Sequence, residues 1–184
     1  MTVSTATTSG QILTSAYVNN NINSGLVYIT ESTFTASSAV NLNSIFSATY
    51  QNYKMELFIT NSSQVALNYR YRVGGVDNST ANYGNQSLSA DGTTVTAART
   101  TSQTSGDFGT MTLSSLSFFD ITLYNPFTAA TKGMNINNGA FIGEAWLKQV
   151  TSTFKAATSF DGISIIPSSG TITGTVRVYG FRQA

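Results

Sequence analysis

The acidic side chains have the clearest capacity for chemistry in this sequence. There are eight of them: Glu31, Glu56, Asp77, Asp91, Asp107, Asp120, Glu144 and Asp161. Glycoside hydrolysis needs two carboxyl groups that flank the bond being broken. Asp120 and Glu144 are the best candidates for such a pair, because both lie within apolar segments that predict strands. The alternative is a carboxylate on a sheet face, hydrogen-bonded to a hydroxyl or paired with Lys or Arg, and the sequence favours it.

Histidine and cysteine are both absent from the chain. The sequence therefore excludes Ser-His-Asp and Cys-His arrangements, His-ligated zinc and disulfides. Asp77, Asn78 and Asp91 could supply oxygen ligands to calcium, but their spacing matches no calcium loop. Gly74-Gly75 leads into polar loop residues rather than a helix, so it predicts a turn and not a nucleotide site. We expect no catalytic residue, no cofactor and no metal.

The chain carries little charge. Charged residues make up 9% of it and the formal net charge is +1, whereas ordinary globular proteins have roughly 25% charged residues. Nucleic-acid binding needs clustered Lys and Arg that displace counterions. The only close basic pair, Arg70 and Arg72, alternates with Tyr69 and Tyr71, which favours an ordinary solvent face opposite a core face. There is also no apolar run of about 18 residues and no signal-peptide pattern. We expect neither nucleic acid nor a membrane as a partner.

Aromatic side chains near predicted loops could bind sugars by stacking. The candidates for such a loop surface are Tyr83, Phe108, Tyr124 and Phe127. Trp146 lies within a predicted strand and is expected in the core or in an interface. Stacking of a ring on a sugar suits a chain with so little charge, and burial in the core is the alternative explanation for most of these rings.

The elements that must position these residues are predicted to be strands and turns. The chain contains 28 Thr, 24 Ser and 16 Asn; Thr favours strands, whereas Ser and Asn favour turns. Five segments alternate or are apolar throughout, as strands are: 53–60, 65–73, 115–124, 140–150 and 171–181. Hairpin turns are predicted at three dipeptides: Asp91-Gly92, Asn138-Gly139 and Asp161-Gly162. Residues 74–110 are interpreted as long polar loops around a Thr-rich hairpin.

Counted in this way, the chain has eight to ten strands. That number predicts an all-β protein with a jelly-roll-like β-sandwich over residues 26–184. The clearest strand signal is the last one, where Ile172, Val176 and Val178 alternate with polar and aromatic residues. A final strand this long is expected to pair in the middle of a sheet, because its removal would leave an open edge.

Residues 1–25 are predicted to form an attachment arm with a short helix. Val18, Ile22 and Leu26 follow an i, i+4 spacing, which predicts a weak helix over about residues 15–24. So short a helix is marginal in water and needs a partner surface. The candidate arm and oligomer contacts are Ile12, Leu13, Val18, Ile22 and Leu26.

Three stretches resemble short structural proteins of tailed bacteriophages. SGQILTSAYVNNNINSGLVYI (9–29) is similar to the opening of such proteins. IFSATYQNYKMELFI (45–59) is similar to their F-x-x-x-Y-x-x-Y strand entry, and IIPSSGTITGTVRVYGFR (165–182) to their closing hairpin. The three occur in the same order and cover under a third of the chain, whereas residues 74–135 carry no such likeness.

The resemblance implies a virion protein without enzymatic activity, built as a β-sandwich and often trimeric. The first expectation is a capsid decoration or cement protein, made in the host bacterial cytoplasm. Its arm would attach it to the major capsid protein or another virion protein at the particle surface. The alternative is a tail fibre or receptor-binding appendage whose loops over 74–110 contact host glycans. A carbohydrate-active enzyme or free lectin is the third hypothesis.

Overall fold

The structure is a computed structural model, and it describes residues 25–62, 64–111, 116–142 and 144–182. Every regular element in these ranges is a strand, so the prediction of an all-β protein is confirmed. The described ranges contain no helix. The helix predicted over 15–24 lies outside them. Four predicted arm contacts lie outside them as well: Ile12, Leu13, Val18 and Ile22.

The described residues form thirteen strands. In chain order they are β1 Leu26–Ser37, β2 Val40–Leu42, β3 Asn52–Asn61, β4 Val65–Val73, β5 Val76–Asp77, β6 Tyr83–Asp91, β7 Thr94–Gln103, β8 Gly106–Met111, β9 Ser117–Tyr124, β10 Lys132–Ile142, β11 Glu144–Phe154, β12 Gly162–Pro167 and β13 Ile172–Phe181.

Two antiparallel sheets pack against each other in a sandwich-like arrangement. The larger sheet has the order β1-β13-β3-β9-β10-β11-β6-β7. The smaller has the order β2-β12-β4, and both β5 and β8 pair with β4. Strands pair from the outside of the sequence inward: β1 with β13, β2 with β12, β3 with β9 and β4 with β8. The chain thus folds as one long ribbon whose strands alternate between the sheets.

Two hairpins widen the larger sheet beyond this ribbon. The β10–β11 hairpin pairs with β9, and the β6–β7 hairpin pairs with β11. The smaller sheet does not cover all of this extension, because every residue of β7 is exposed. Strand β7 therefore lies beyond the core with solvent on both of its faces, whereas the start of β6 is buried.

Alternation along each strand builds the core. In β3 the side chains of Tyr53, Met55, Leu57 and Ile59 are fully buried, and the residues between them face the opposite side. Each fully buried side chain of this size stabilises the fold by roughly 1.5–3 kcal/mol. The aromatic part of the core is tightly packed; for example, the rings of Tyr71 and Phe160 stack with centroids 4.8 Å apart.

The position predicted for the last strand is confirmed. Strand β13 lies between β1 and β3 and pairs with both of them along its length. Its residues Ile172, Val176 and Val178 are fully buried. The last strand is therefore an interior strand of the larger sheet, one strand in from its edge.

One predicted hairpin turn is confirmed and two are wrong. Asp91-Gly92 connects β6 to β7, with Gly92 at φ 54°. Gly139 lies within β10 and forms no turn. Its missing side chain leaves room for the ring of Phe118. Gly162 begins β12, where a Cβ would lie 2.3 Å from the carbonyl oxygen of Leu42. Both of these glycines serve close packing, which a dipeptide signal does not distinguish from turn geometry.

Two further segments differ from their predictions. The apolar segment 140–150 is two strands, because β10 ends at Ile142 and β11 begins at Glu144. Residues 74–110 were predicted as long polar loops around a Thr-rich hairpin. The β6–β7 hairpin is present, but strands β5 to β8 occupy most of the segment in place of long loops. Their Ser- and Thr-rich sequences give a weak strand signal because much of this segment faces solvent rather than an apolar core.

Candidate interaction surface

Two of the four rings predicted on a loop surface lie in the core. Tyr83 begins β6, Phe108 lies in β8, and both are fully buried. The Tyr83 hydroxyl donates to the carbonyl of Asn78 at 2.9 Å and accepts from the amide of Tyr71 at 3.0 Å. Burial raises the pKa of Tyr83 to about 12. The ring of Phe108 stacks on Tyr69 at 4.8 Å. Their predicted exposure is wrong because both rings fill the space between the sheets.

Three other predicted contact residues are at least partly accessible. Tyr124 ends β9 and is 37% exposed, and Leu26 begins β1 and is 39% exposed. The cross-strand register places both at the same end of the larger sheet, with Leu26 opposite Phe181 and Tyr124 opposite Asn52. Phe127 is half-buried and packs against the core. The binding roles of these three residues stay predictions.

Asp120 and Glu144 are not brought together as a catalytic pair. Asp120 lies opposite Asn137, which lies opposite Gln149 on β11. Glu144 precedes Gln149 by five residues, which is roughly 17 Å along an extended strand. Paired carboxylates in glycosidases lie within about 10 Å of each other. Asp120 instead pairs with Lys54 at 3.1 Å, as the sheet-face interpretation predicted.

Arg72 is the centre of a polar network on the outer side of the smaller sheet. Only 7% of it is exposed, so the prediction of an ordinary solvent-facing arginine is wrong here. Its guanidinium pairs with the Asp77 carboxylate and donates to Ser164 Oγ at 2.6 Å. It also donates to Oδ1 of Asn41 and of Asn43, each at 2.9 Å. Arg72 thereby joins β2, β4, β5 and β12, and the role that follows is structural.

A second polar network is buried between β8 and the larger sheet. The hydroxyls of Tyr69 and Ser152 are 2.7 Å apart, and Ser152 donates to Asn85 Oδ1 at 2.6 Å. Lys148 Nζ donates to Asp107 Oδ2 at 2.9 Å. Burial raises the pKa of Tyr69 well above its ordinary value. Tyr69 and Ser152 are fully buried, and Asp107 is partly exposed. Because these groups pair with one another, the network helps to hold β8 against the larger sheet.

The most distinctive surface is the outer face of the larger sheet, which points away from the core. Register places six apolar residues in one line, each directly opposite the next. We call these six the apolar row: Phe58 on β3, Phe118 on β9, Gly139 on β10, Leu147 on β11, Ala90 on β6 and Val95 on β7. Side chains directly opposite each other have Cβ atoms about 5 Å apart, so the row is one contiguous patch.

The large side chains of the apolar row are exposed. The exposed fractions are 45% for Phe58, 37% for Phe118, 51% for Leu147 and 66% for Val95. Gly139 shapes the middle of the row, because a Cβ there would lie 2.2 Å from Cζ of Phe118. The aromatic ring therefore lies against the backbone of β10, and any larger residue at 139 would displace it.

A groove lined by both polar and apolar residues, among them Leu88 and Ala97, borders the apolar row on the same face. It has a volume of about 430 Å³, and we call it the amide groove. Its outward-facing side chains include Gln86, Asn135, Asn137, Gln149 and Thr151. Thr151 Oγ1 donates to Asn135 Oδ1 at 3.2 Å, and Gln149 Nε2 donates to Asn137 Oδ1 at 3.3 Å. These uncharged donors and acceptors suit a neutral polar ligand.

Charge on the outer face is concentrated beside the apolar row. Five charged side chains lie on the outward side of β1, β13, β3 and β9: Glu31, Arg177, Lys54, Glu56 and Asp120. Arg177 Nε pairs with Glu31 Oε2 at 2.5 Å, and Lys54 contacts both of the other carboxylates. Among the described strand residues of β10, β11, β6 and β7, Arg99 is the outward-facing charge. Lys155, which directly follows β11, lines a groove beside Arg99. The extension of the sheet thus carries few charges on this side, and both of these are basic.

Neither the described side chains nor comparisons with known proteins assign a function. Within the described ranges, no group of three or more Asp or Glu side chains is placed to hold a metal ion. The same ranges include no helix with the length and hydrophobicity needed to cross a membrane. No protein-family model matches the chain, and no significantly similar curated protein or solved structure was found.

Proposed function

We propose that the chain is a non-enzymatic structural protein of a bacteriophage virion, and specifically a capsid decoration or cement protein. The observation that carries the proposal is the strand pairing, in which β1 pairs with β13, β2 with β12, β3 with β9 and β4 with β8. We infer a jelly roll from this order, and viral capsid proteins, lectins and cupins use that fold. A fold alone does not specify a function, so the side chains must decide among these uses.

The chemistry of the chain supports a binding role rather than catalysis. Histidine and cysteine are absent from the sequence, which removes the commonest nucleophile, base and metal-ligand combinations. The candidate acid pair, Asp120 and Glu144, is spread along the sheet, and Asp120 pairs with Lys54. The exposed apolar row supports association with a macromolecule, because contiguous apolar patches on a folded surface mark interaction sites.

The proposed partners are further copies of the chain, in a homotrimer, and the major capsid protein or another virion protein. The resemblance over 9–29, 45–59 and 165–182 supports a virion location, with synthesis in the host cytoplasm and a final position at the particle surface. Attachment to the particle is assigned to the arm over residues 1–25. The low charge of 9% and the Thr-rich strands suit a robust extracellular particle.

Adding the protein back to particles tests this proposal. Particles assembled without the chain would be incubated with purified full-length protein and sedimented, and the bound protein would be measured against the major capsid protein. Decoration predicts saturable binding at a number of copies comparable with the capsid protein. Val18→Asp combined with Ile22→Asp should abolish binding, whereas Val76→Asp, at an exposed position on β5, should bind normally. Failure of the wild-type chain to bind would refute the decoration role.

The second candidate function is a tail fibre or receptor-binding appendage that contacts host glycans. The amide groove favours it, because paired amide and hydroxyl side chains can donate to and accept from sugar hydroxyls. Under this alternative the add-back experiment would saturate at a handful of copies. Gln149→Ala would then reduce adsorption to host cells without changing the amount of protein on the particle.

A further inference from the structure

We propose that the apolar row is the contact between copies of this chain, so that the outer face of the larger sheet faces a second copy. The inference refines the oligomerisation part of the proposed function. It rests on the folded domain rather than on the arm, and it holds whether or not the protein belongs to a virion.

The exposed apolar surface of the row is continuous. Soluble monomers expose apolar residues singly, whereas contiguous patches mark interfaces. The row joins Phe58, Phe118, Leu147 and Val95 across six neighbouring strands, and all four are more than a third exposed. Leu88, which is 45% exposed, widens the patch on β6. Aromatic side chains near the centre of a contact are typical of residues that dominate binding.

The outer face of the larger sheet is as large as a stable protein–protein contact. Eight strands at about 4.8 Å spacing and about ten residues each at 3.3 Å give a sheet face of roughly 1,200 Å². A standard stable interface buries about 800 Å² on each partner. The apolar row crosses about 24 Å of this face, and polar side chains such as Asp120, Asn137 and Gln149 lie along one side of it. The face is therefore large enough for a stable contact in which the apolar row is bordered by polar groups.

The charges on the outer face of the larger sheet favour a second copy of the chain over a different partner. The outward strand residues of this face include three acids and three bases: Glu31, Glu56, Asp120, Lys54, Arg177 and Arg99. Arg177 and Lys54 already pair with carboxylates in the same chain. A balanced face does not repel its own copy, and it offers no strong field to an acidic or basic partner. Rotational symmetry turns the same surface of every copy towards the axis, so the face can serve a trimer.

Sedimentation equilibrium of the full-length protein across the micromolar range tests the proposal. The wild-type chain should associate reversibly into a closed oligomer. Replacing both rings, Phe58→Ser with Phe118→Ser, should raise the dissociation constant at least about 100-fold, since truncating two central residues of a contact commonly has this effect. Leu147→Gln keeps both rings and should raise the constant by about 10-fold.

A matched control replaces apolar residues of similar exposure elsewhere. Val73→Ser with Val76→Ser changes positions that are 48% and 70% exposed on β4 and β5, and it should leave association unchanged. Far-ultraviolet circular dichroism and thermal melting would verify that each variant is folded. If the double-Phe variant does not fold, Leu147→Gln provides the test.

Three results would overturn the inference. They are a wild-type chain that is monomeric throughout the range, row variants that associate as the wild type does, and loss of association caused only by Val18→Asp with Ile22→Asp in the arm. The last result would place self-association in residues 1–25. A protein that associates through the row but does not bind particles would keep this inference and refute the proposed function. A chain that stays monomeric but binds particles would refute this inference and keep the proposed attachment to the virion.

Discussion

Removing the last strand should abolish cooperative folding of the whole chain. A chain ended at Pro167 keeps β12 but lacks β13, which lies between β1 and β3. Strand β1 is at the edge of the larger sheet and pairs there with β13. The truncation would therefore detach β1 from the sheet and open the edge of β3, which exposes unpaired backbone groups.

The size of the effect follows from burial. Ile172, Val176 and Val178 are all fully buried. At roughly 1.5–3 kcal/mol for each buried side chain, their loss removes about 5–9 kcal/mol. Domains of this kind are stable by only about 5–15 kcal/mol in total, and the truncation also uncovers the apolar neighbours of these three residues. The free energy lost is thus comparable with the whole stability of the fold.

The assay is thermal melting followed by circular dichroism and by calorimetry. The matched control removes Gln183 and Ala184 alone and should melt as the full-length chain does. The chain ended at Pro167 should be insoluble or should show no cooperative transition. A soluble truncated chain with a sharp melting transition would refute the interior position of β13 between β1 and β3.

Three further predictions concern single groups in the fold. Gly106→Ala should destabilise the protein by about 1–3 kcal/mol, because the new Cβ would lie 2.1 Å from the ring of Tyr69; urea unfolding would measure this. Arg72→Ala should cost about 1–3 kcal/mol, because it removes the hydrogen bonds of a buried guanidinium and leaves the partly exposed Asp77 carboxylate without its partner; Arg70→Ala should cost less than about 1 kcal/mol, as expected of a side chain nearer the solvent. Stability should also fall as the pH rises above about 10, because burial raises the pKa of three tyrosines: Tyr69, Tyr71 and Tyr83.

The sign of the pH effect follows from proton binding. The unfolded chain releases tyrosine protons near pH 10, whereas the folded chain retains them up to about pH 12 at Tyr83. The stabilisation is complete below the unfolded pKa and is lost as the pH rises through the folded pKa. Lys132 changes the stability in the opposite direction, because burial lowers its pKa. The three tyrosines outnumber this single lysine, so the stability should still fall. An absorbance titration at which all tyrosines ionise near pH 10 in the folded protein would contradict this account.

Controls for the other two predictions use the same chain. Gly133→Ala should be tolerated far better than Gly106→Ala, because its nearest neighbour would be 3.6 Å away, in ordinary contact. Equal destabilisation by the two glycine variants would remove the steric explanation. Equal destabilisation by Arg70→Ala and Arg72→Ala would show that the buried network around Arg72 contributes nothing particular.

The elements that could be predicted are those whose signal is local. Alternation in β3 and β13 identifies which residues are buried, since side chains at i and i+2 share a face. The sequence predicts Tyr83 and Phe108 on a loop surface because glycines and polar residues surround them, although both rings lie in the core. A local turn signal cannot reveal that Gly139 accommodates the ring of Phe118, which is distant in sequence.

The apolar row could be predicted only in part. Alternation in β9 places Phe118 on the same side as Asp120, which is a local signal for an exposed ring. The alignment of Phe58, Leu147 and Val95 depends on the register of six strands, and the sequence does not specify that register. Long-range pairing, rather than composition, creates this surface.

The copy number of this chain in purified particles of the bacteriophage that we propose encodes it is the most direct test of the proposed virion role. Quantitative mass spectrometry would compare its peptides with those of the major capsid protein. The account predicts a ratio within a few-fold of one, as expected for a protein that decorates the capsid. Complete absence would contradict a virion role, and a handful of copies would place the protein on the tail and favour the glycan-binding alternative.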